Sequence, residues 1–166
     1  MKNPYAKYLG GRDPLAVMAA TPGALYNLLS PLLANAADGH VNQQPAPGKW
    51  SIREILVHLA DCEIAVGFRM RQSLAETDHV MQPFDQELWA ERYAAYDAPT
   101  ALATFVALRN WNMLFLKTVQ PQDLGRVVSH PERGTGSFRI LLETIGGHDL
   151  NHLQQMERLV QAGPAT

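Results

Sequence analysis

His148 and His152 stand four residues apart near the C-terminal end of the sequence. On an α-helix that spacing sets two side chains about 40° apart around the axis and about 6 Å apart along it, close enough for both imidazoles to grip one ion. Leu141, Leu142, Ile145, Met156, Leu159 and Val160 recur around them at helical spacing. Both histidines fall within the roughly 120° apolar arc those residues define. A buried polar ring without a partner costs about 1–3 kcal/mol, so a backbone carbonyl, a buried water or a metal must satisfy each. A second segment favours the metal, because His58 lies between Ile55 and Cys62 at the margin of another apolar stripe. Three inward histidines from two helices match a three-histidine site with one open position, the arrangement of catalytic zinc. Imidazole also suits nickel, copper and iron(II).

Other side chains near these positions carry two readings each. Asp149 shares the inner face of its helix, where it fixes the tautomer of a ligating imidazole or pairs with a buried arginine. Asp61 and Glu63 flank the stripe that holds His58, as proton acceptors for a water or thiol at the ion or as solvated helix charges. Cys62, one turn after His58, is a thiolate ligand or a small buried hydrophobe. Arg69, Arg71 and Arg133 are surface residues or a grip for an acidic substrate or for a thiol cofactor's carboxylates. His40 and His79 are expected at the surface, and His130 in a loop near the mouth of the site. Trp50 reads as a hydrophobic staple or core plug, Trp89 and Trp111 as core or interface packing.

The elements that must position these groups are helical. Asp13 as N-cap and Pro14 at the first position open a block to about Ala37, with a kink or short break expected at Pro22-Gly23. A polar loop, Asp38 to Lys49, follows. Ser51-Ile52-Arg53-Glu54 has the form of a capping box and starts a helix expected to run about 25 residues, its stripe drawn by Ile52, Ile55, Leu56, Leu59, Val66, Met70 and Leu74. A shorter helix is predicted over Asp85 to Ala95, a third long one from Thr100 to about Val119, and a last one from Ser137 to about Gln161, stopped by Gly163-Pro164. Ser129 to Gly136 reads as a loop, and Val127-Val128 as too isolated for a sheet. Four long helical blocks, no internal repeat and short connections predict an all-α antiparallel bundle.

Composition bounds the partners. The 166 residues are 46% hydrophobic and 18% charged, with 14 Lys plus Arg against 16 Asp plus Glu and a net charge of -2. That balance argues against binding nucleic acid by phosphate neutralisation, and one domain over residues 1–166 is expected. The single cysteine cannot close an intrachain bridge, and neither a leader nor an apolar run near the roughly 20 residues of a bilayer crossing is evident. The expectation is a cytoplasmic protein with a small-molecule substrate and no membrane or nucleic-acid partner.

Four strings taken in order, Gly48-Lys49-Trp50-Ser51 through His58-Leu59-Ala60-Asp61, then Phe84-Asp85-Gln86-Glu87-Leu88-Trp89, His130-Pro131-Glu132-Arg133-Gly134, and Gly147-His148-Asp149-Leu150-Asn151-His152, resemble the DinB-like superfamily of four-helix metalloproteins. The resemblance covers roughly Asp13 to Val160. It implies an up-down-down-up helix order with a short extra helix between the second and third long helices. It also implies a metal triad at His58, His148 and His152 holding one divalent ion, zinc or nickel, and the possibility of a homodimer. Better understood relatives are S-transferases and an isomerase that use a low-molecular-weight thiol, so thiol transfer is the first reaction expected. The alternatives are a metal-dependent hydrolase and a non-catalytic metal- or ligand-binding bundle.

Overall fold

Each long helix begins where a side chain satisfies the free backbone donors of its first turn. In the computed structural model, which describes residues 1–34 and 39–163, Asp13 Oδ1 accepts from the Leu15 amide at 3.1 Å ahead of α2 (Pro14–Ala34). Ser51 and Glu54 complete the predicted capping box at the start of α3 (Ile52–Ala75). Asp97 accepts from the Thr100 amide at 2.7 Å and so starts α5 (Ala98–Leu116) two residues before the predicted point. Ser137 caps α6 (Phe138–Ala162), which Gly163 ends at φ +71°. The predicted helix end at Ala37, the loop start at Asp38 and the stop residue Pro164 lie outside the described residues.

The architecture is an all-α four-helix bundle with a short helix α4 (Gln86–Ala90) and a 3-10 turn (Tyr93–Ala95) in the connection between the second and third long helices. Its helix order follows from the contacts. Arg53 meets Tyr96 and Glu63 meets Arg109, so α3 and α5 lie side by side and parallel. Pro14 lies against Gly146 and Thr21 bonds Asp149, so α2 and α6 are also parallel. Val66, near the C-terminal half of α3, lines one cleft with Leu141 of α6, while His58, a turn and more earlier, meets His148, so these two helices run opposite ways. The result is up-down-down-up. Parallel neighbours need a long return, which residues 76–97 supply; the expectation of short connections throughout fails there.

Three further features depart from the expectations or add to them. A two-stranded hairpin, β1 (Val127–His130) against β2 (Gly134–Ser137), stands where a loop was predicted. Four-residue strands give too little alternation to read, and the hairpin is fixed by a fully buried Val128 and by Gly134 at φ +73°, a turn conformation glycine takes without strain. The N-terminal residues also carry a one-turn helix, α1 (Ala6–Leu9), that no periodicity announced. Finally, α2 runs unbroken through Pro22 and Pro31. Pro22 lacks the N–H that the Met18 carbonyl would otherwise receive, and a guanidinium nitrogen of Arg109 donates to that carbonyl instead, at 2.9 Å. By length and composition α2 would be able to cross a bilayer, contrary to the reading of the sequence; here Met18, Thr21, Leu25 and Leu29 bury one of its faces in the bundle.

Candidate metal centre

His58 sits in the second turn of α3, inside the run Ile55 to Ala60, all of it buried. His148 and His152 sit one turn apart in α6. Because α3 and α6 run antiparallel, these stretches face each other. The Nε2 atoms of His58 and His148 are 3.1 Å apart, and one ring nitrogen from each of the three residues lies within 4.8 Å of the other two. Ring centroids are 5.2 Å apart for His58 and His148, 5.0 Å for His58 and His152, and 4.4 Å for His148 and His152.

The donor set fits a divalent ion. Three nitrogens at about 2.0–2.1 Å from one tetrahedral ion stand about 3.3 Å from each other, close to the 3.1 Å already present between two of them. Ligating imidazoles must be neutral, and these are held so. Burial, with the neighbouring His152 charge opposing as well, pulls the His58 pKa down to about 3. Burial brings His152 to about 4, its Gln155 partner pulling the other way. His148 is held well below the ordinary histidine value by burial and by the two other rings. Gln155 Oε1 lies 3.0 Å from His152 Nδ1, so Nδ1 carries the proton and the Nε2 lone pair is free for the shared centre.

Around the rings the structure sorts the other predicted residues. Asp149 does not orient an imidazole: its oxygens accept from Arg109 at 2.5 and 3.0 Å and from Thr21 at 3.1 Å. Glu63 is only 3% exposed, not a solvated helix charge, and accepts from Arg109 at 2.7 Å and from Asn112 at 3.0 Å. Burial pushes the Asp149 carboxyl above its ordinary range and the guanidinium opposes this. Burial likewise works against the Arg109 charge, but the two carboxylates hold its pKa above its ordinary value. Asp61 is half-buried, its pKa raised by burial, and is not among the residues lining the cleft over the rings.

Cys62 is beside the site, its sulfur 3.5 Å from His58 Nε2, and burial together with nearby carboxylates raises the thiol's pKa. Trp50 packs its ring 4.8 Å from that of His58. His130 is buried on β1 and lines the cleft, as do Arg69 and Arg133, whereas Arg71 turns to the Gly67 carbonyl and to Asn112. His40 is 6% exposed, contrary to expectation. Trp89 and Trp111 are exposed at 39% and 65%, because α4 is too short to bury one and the inner face of α5 is formed by Phe105, Arg109, Asn112 and Leu116 instead.

That inner face also shows what the sequence reading missed. Arg109 and Asn112 occur at steps of four and three between Phe105 and Leu116, a helical signature of inward polar residues masked by attention to apolar ones. Tyr5 was missed as well; its ring stands edge-on to His148 at 5.1 Å. The available signal was Gly147, directly before His148: a Cβ there would lie 2.6 Å from the Tyr5 carbonyl oxygen, so only glycine admits this close crossing.

Residues 24–156 match the sequence profile of the DinB superfamily. A protein of Oceanobacillus iheyensis named "putative metal-dependent hydrolase" is 30% identical over 114 residues, which is 68% of this chain and 66% of that protein. A Bacillus mycoides protein with the same description is 23% identical over 115 residues, 68% of this chain and 65% of its own. The chain thus spans just under two thirds of the length of these curated relatives. Among solved structures, YfiT from Bacillus subtilis, titled "a probable metal-dependent hydrolase with an unusual four-helix bundle topology", superposes with a TM-score of 0.79 at 21% identity, covering 98% of this chain and 89% of that one. At that identity the likeness speaks for the fold.

Proposed function

The chain belongs to the DinB superfamily, and from that premise we propose that it is a metal-dependent hydrolase whose ion is held by His58, His148 and His152. The observation that carries the reading is the convergence of one nitrogen from each ring to within 4.8 Å of the others, in surroundings that keep the rings neutral. Three protein ligands leave one position open in catalytic sites, and the cleft lined by Tyr5, Cys62, Arg69 and Phe84 reaches His58 and His148. A divalent ion supplies Lewis acidity and lowers the pKa of a water, to about 7 in favourable zinc sites. Zinc and nickel both suit the donor set. This chain's own contribution is to orient the His152 ring through Gln155, to wall the site with Trp50 and Tyr5, and to keep the nearby carboxylates from neutralising it by committing them to Arg109.

One observation favours transfer of a low-molecular-weight thiol as a second reading. The carboxylates that line the cleft, Glu63 and Asp149, are both committed to Arg109, so neither is free as a general base; a thiol, ordinarily near pKa 8.5, is ionised by an ion with less help than water needs. The test is to strip the protein with chelator, reload it with zinc or nickel, and assay p-nitrophenyl acetate beside monobromobimane conjugation to bacillithiol, mycothiol and glutathione. Ion-dependent ester turnover, lost in His58→Ala and His148→Ala, is expected. Conjugation of one thiol without ester turnover selects the second reading, and neither activity with ion bound leaves a non-catalytic metal-binding bundle.

A further inference from the structure

The cleft that reaches His58 and His148 is lined by two arginines that no carboxylate among the described residues pairs with. Arg69 of α3 and Arg133 of the β1–β2 turn both line it. Among the described residues the only ion pairs are those of Arg109 with Glu63 and Asp149, so neither lining arginine has a carboxylate partner. Arg69 donates to the Gln82 carbonyl and lies over the Phe84 ring at 5.4 Å, contacts that orient the guanidinium and leave its charge in place. Arg133 is exposed and is not engaged by any hydrogen bond among the described residues. The two are near enough that, after burial, the Arg133 charge is the next influence lowering the Arg69 pKa. A third donor stands with them: His130 Nδ1 accepts from the Glu132 amide at 3.2 Å, which leaves the ring proton on Nε2.

Two guanidinia that line one cleft, neither of them paired with an acid, match the oxygens of a carboxylate or phosphate, which they bind through paired charge-assisted hydrogen bonds. The cleft holds about 100 Å³, the room of a few water molecules, and Val66, Leu141 and Ile145 give it an apolar wall. We propose that this site acts on a small organic acid, its carboxylate or phosphate seated between Arg69 and Arg133 and its reacting group toward His58 and His148. The inference rests on reading those histidines as a metal-dependent active site; the anion seat itself is built without the ion and is testable without it.

The test is calorimetry on metal-free protein with succinate, inorganic phosphate and the neutral succinamide. The expected result is binding of succinate or phosphate, the tighter of the two naming the head group, with no binding of succinamide. Affinity should fall at least about tenfold in Arg133→Gln and in Arg69→Gln, and be retained in His148→Ala, which loses zinc. Arg133 is exposed on a turn, so an unchanged melting temperature for that variant separates loss of the seat from loss of the fold. A parent that binds zinc but neither anion, or that binds them equally after both arginine substitutions, overturns the inference and leaves the metal reading standing. A parent that binds succinate but no zinc does the reverse.

Discussion

Arg109→Met is the substitution whose consequences the structure fixes most fully. The guanidinium is 1% exposed and touches three other long helices: the Met18 carbonyl of α2 at 2.9 Å, Glu63 of α3 at 2.7 Å and Asp149 of α6 at 2.5 and 3.0 Å. Methionine fills much of the same volume, so the cavity left is small and the loss is electrostatic. Removing one partner of a buried pair costs about 3–5 kcal/mol, against a total stability of about 5–15 kcal/mol. At about 2–4 °C per kcal/mol for a chain of this size, melting at pH 7.5 falls by roughly 6–20 °C. The deficit also depends on pH. Burial already pushes Asp149 above its ordinary range while Arg109 opposes, and without the guanidinium, burial and the Glu63 charge act together against only the bond from Thr21. A carboxyl whose folded pKa exceeds its unfolded value of about 4 favours the folded state below that value, an advantage lost as pH rises through the folded pKa. The gap between parent and variant is therefore widest at pH 7.5 and narrows toward pH 5. Circular-dichroism melts of both proteins at the two values read it directly. The triple variant Arg109→Met, Glu63→Gln, Asp149→Asn should recover part of the loss at pH 7.5, since no bare buried charge remains. A deficit under about 2 °C, or one that does not shrink on acidification, refutes the reasoning.

Gly147→Ala places a methyl group 2.6 Å from the Tyr5 carbonyl oxygen and 2.7 Å from its Cβ; the N-terminal segment has to lift, and limited proteolysis should cut before Leu9 in the variant well ahead of the parent. Ser51→Ala removes the hydroxyl that accepts from the Glu54 amide and should cost about 1 kcal/mol by denaturant titration, with the slope m unchanged. In metal-free protein His58 and His152 are pulled down to about 3 and about 4, against about 6.5 unfolded. Below pH 6.5 the unfolded chain takes up protons that the folded chain refuses, so the melting temperature should be level above pH 7 and fall between pH 6.5 and 4. A level profile through that interval contradicts the picture of buried neutral rings.

The sequence displayed what local rules control. Capping chemistry placed the starts of α3 and α6, and the i, i+4 pair of His148 and His152 on an apolar stripe announced a site, because helical periodicity turns sequence spacing into spatial spacing. What stayed hidden depends on partners distant in sequence. Nothing near Pro22 tells that Arg109 will take the carbonyl it frees, so a kink or a short break was expected, and of these the break does not occur. Glu63 stood open between a proton acceptor and a solvated charge, and Asp149 between a partner of an imidazole and a partner of a buried arginine, until the position of Arg109 showed both charges already committed. His58 was legible as an inward residue, but its 3.1 Å approach to His148 is set by the antiparallel pairing of α3 with α6, a tertiary fact. The hairpin that carries His130 and Arg133 was too short to show a pattern, and it brings the outer charges of the cleft into place.

The central claim is that three imidazoles from α3 and α6 form one metal site, and the most direct measurement is metal content by inductively coupled plasma mass spectrometry. Untagged parent, exposed to excess zinc or nickel and dialysed, is compared with His58→Ala, His148→Ala and His152→Ala treated alike. The account predicts about one ion per chain in the parent and loss of it in each folded variant. A folded parent that retains no ion, or three variants that retain as much as the parent, contradicts it.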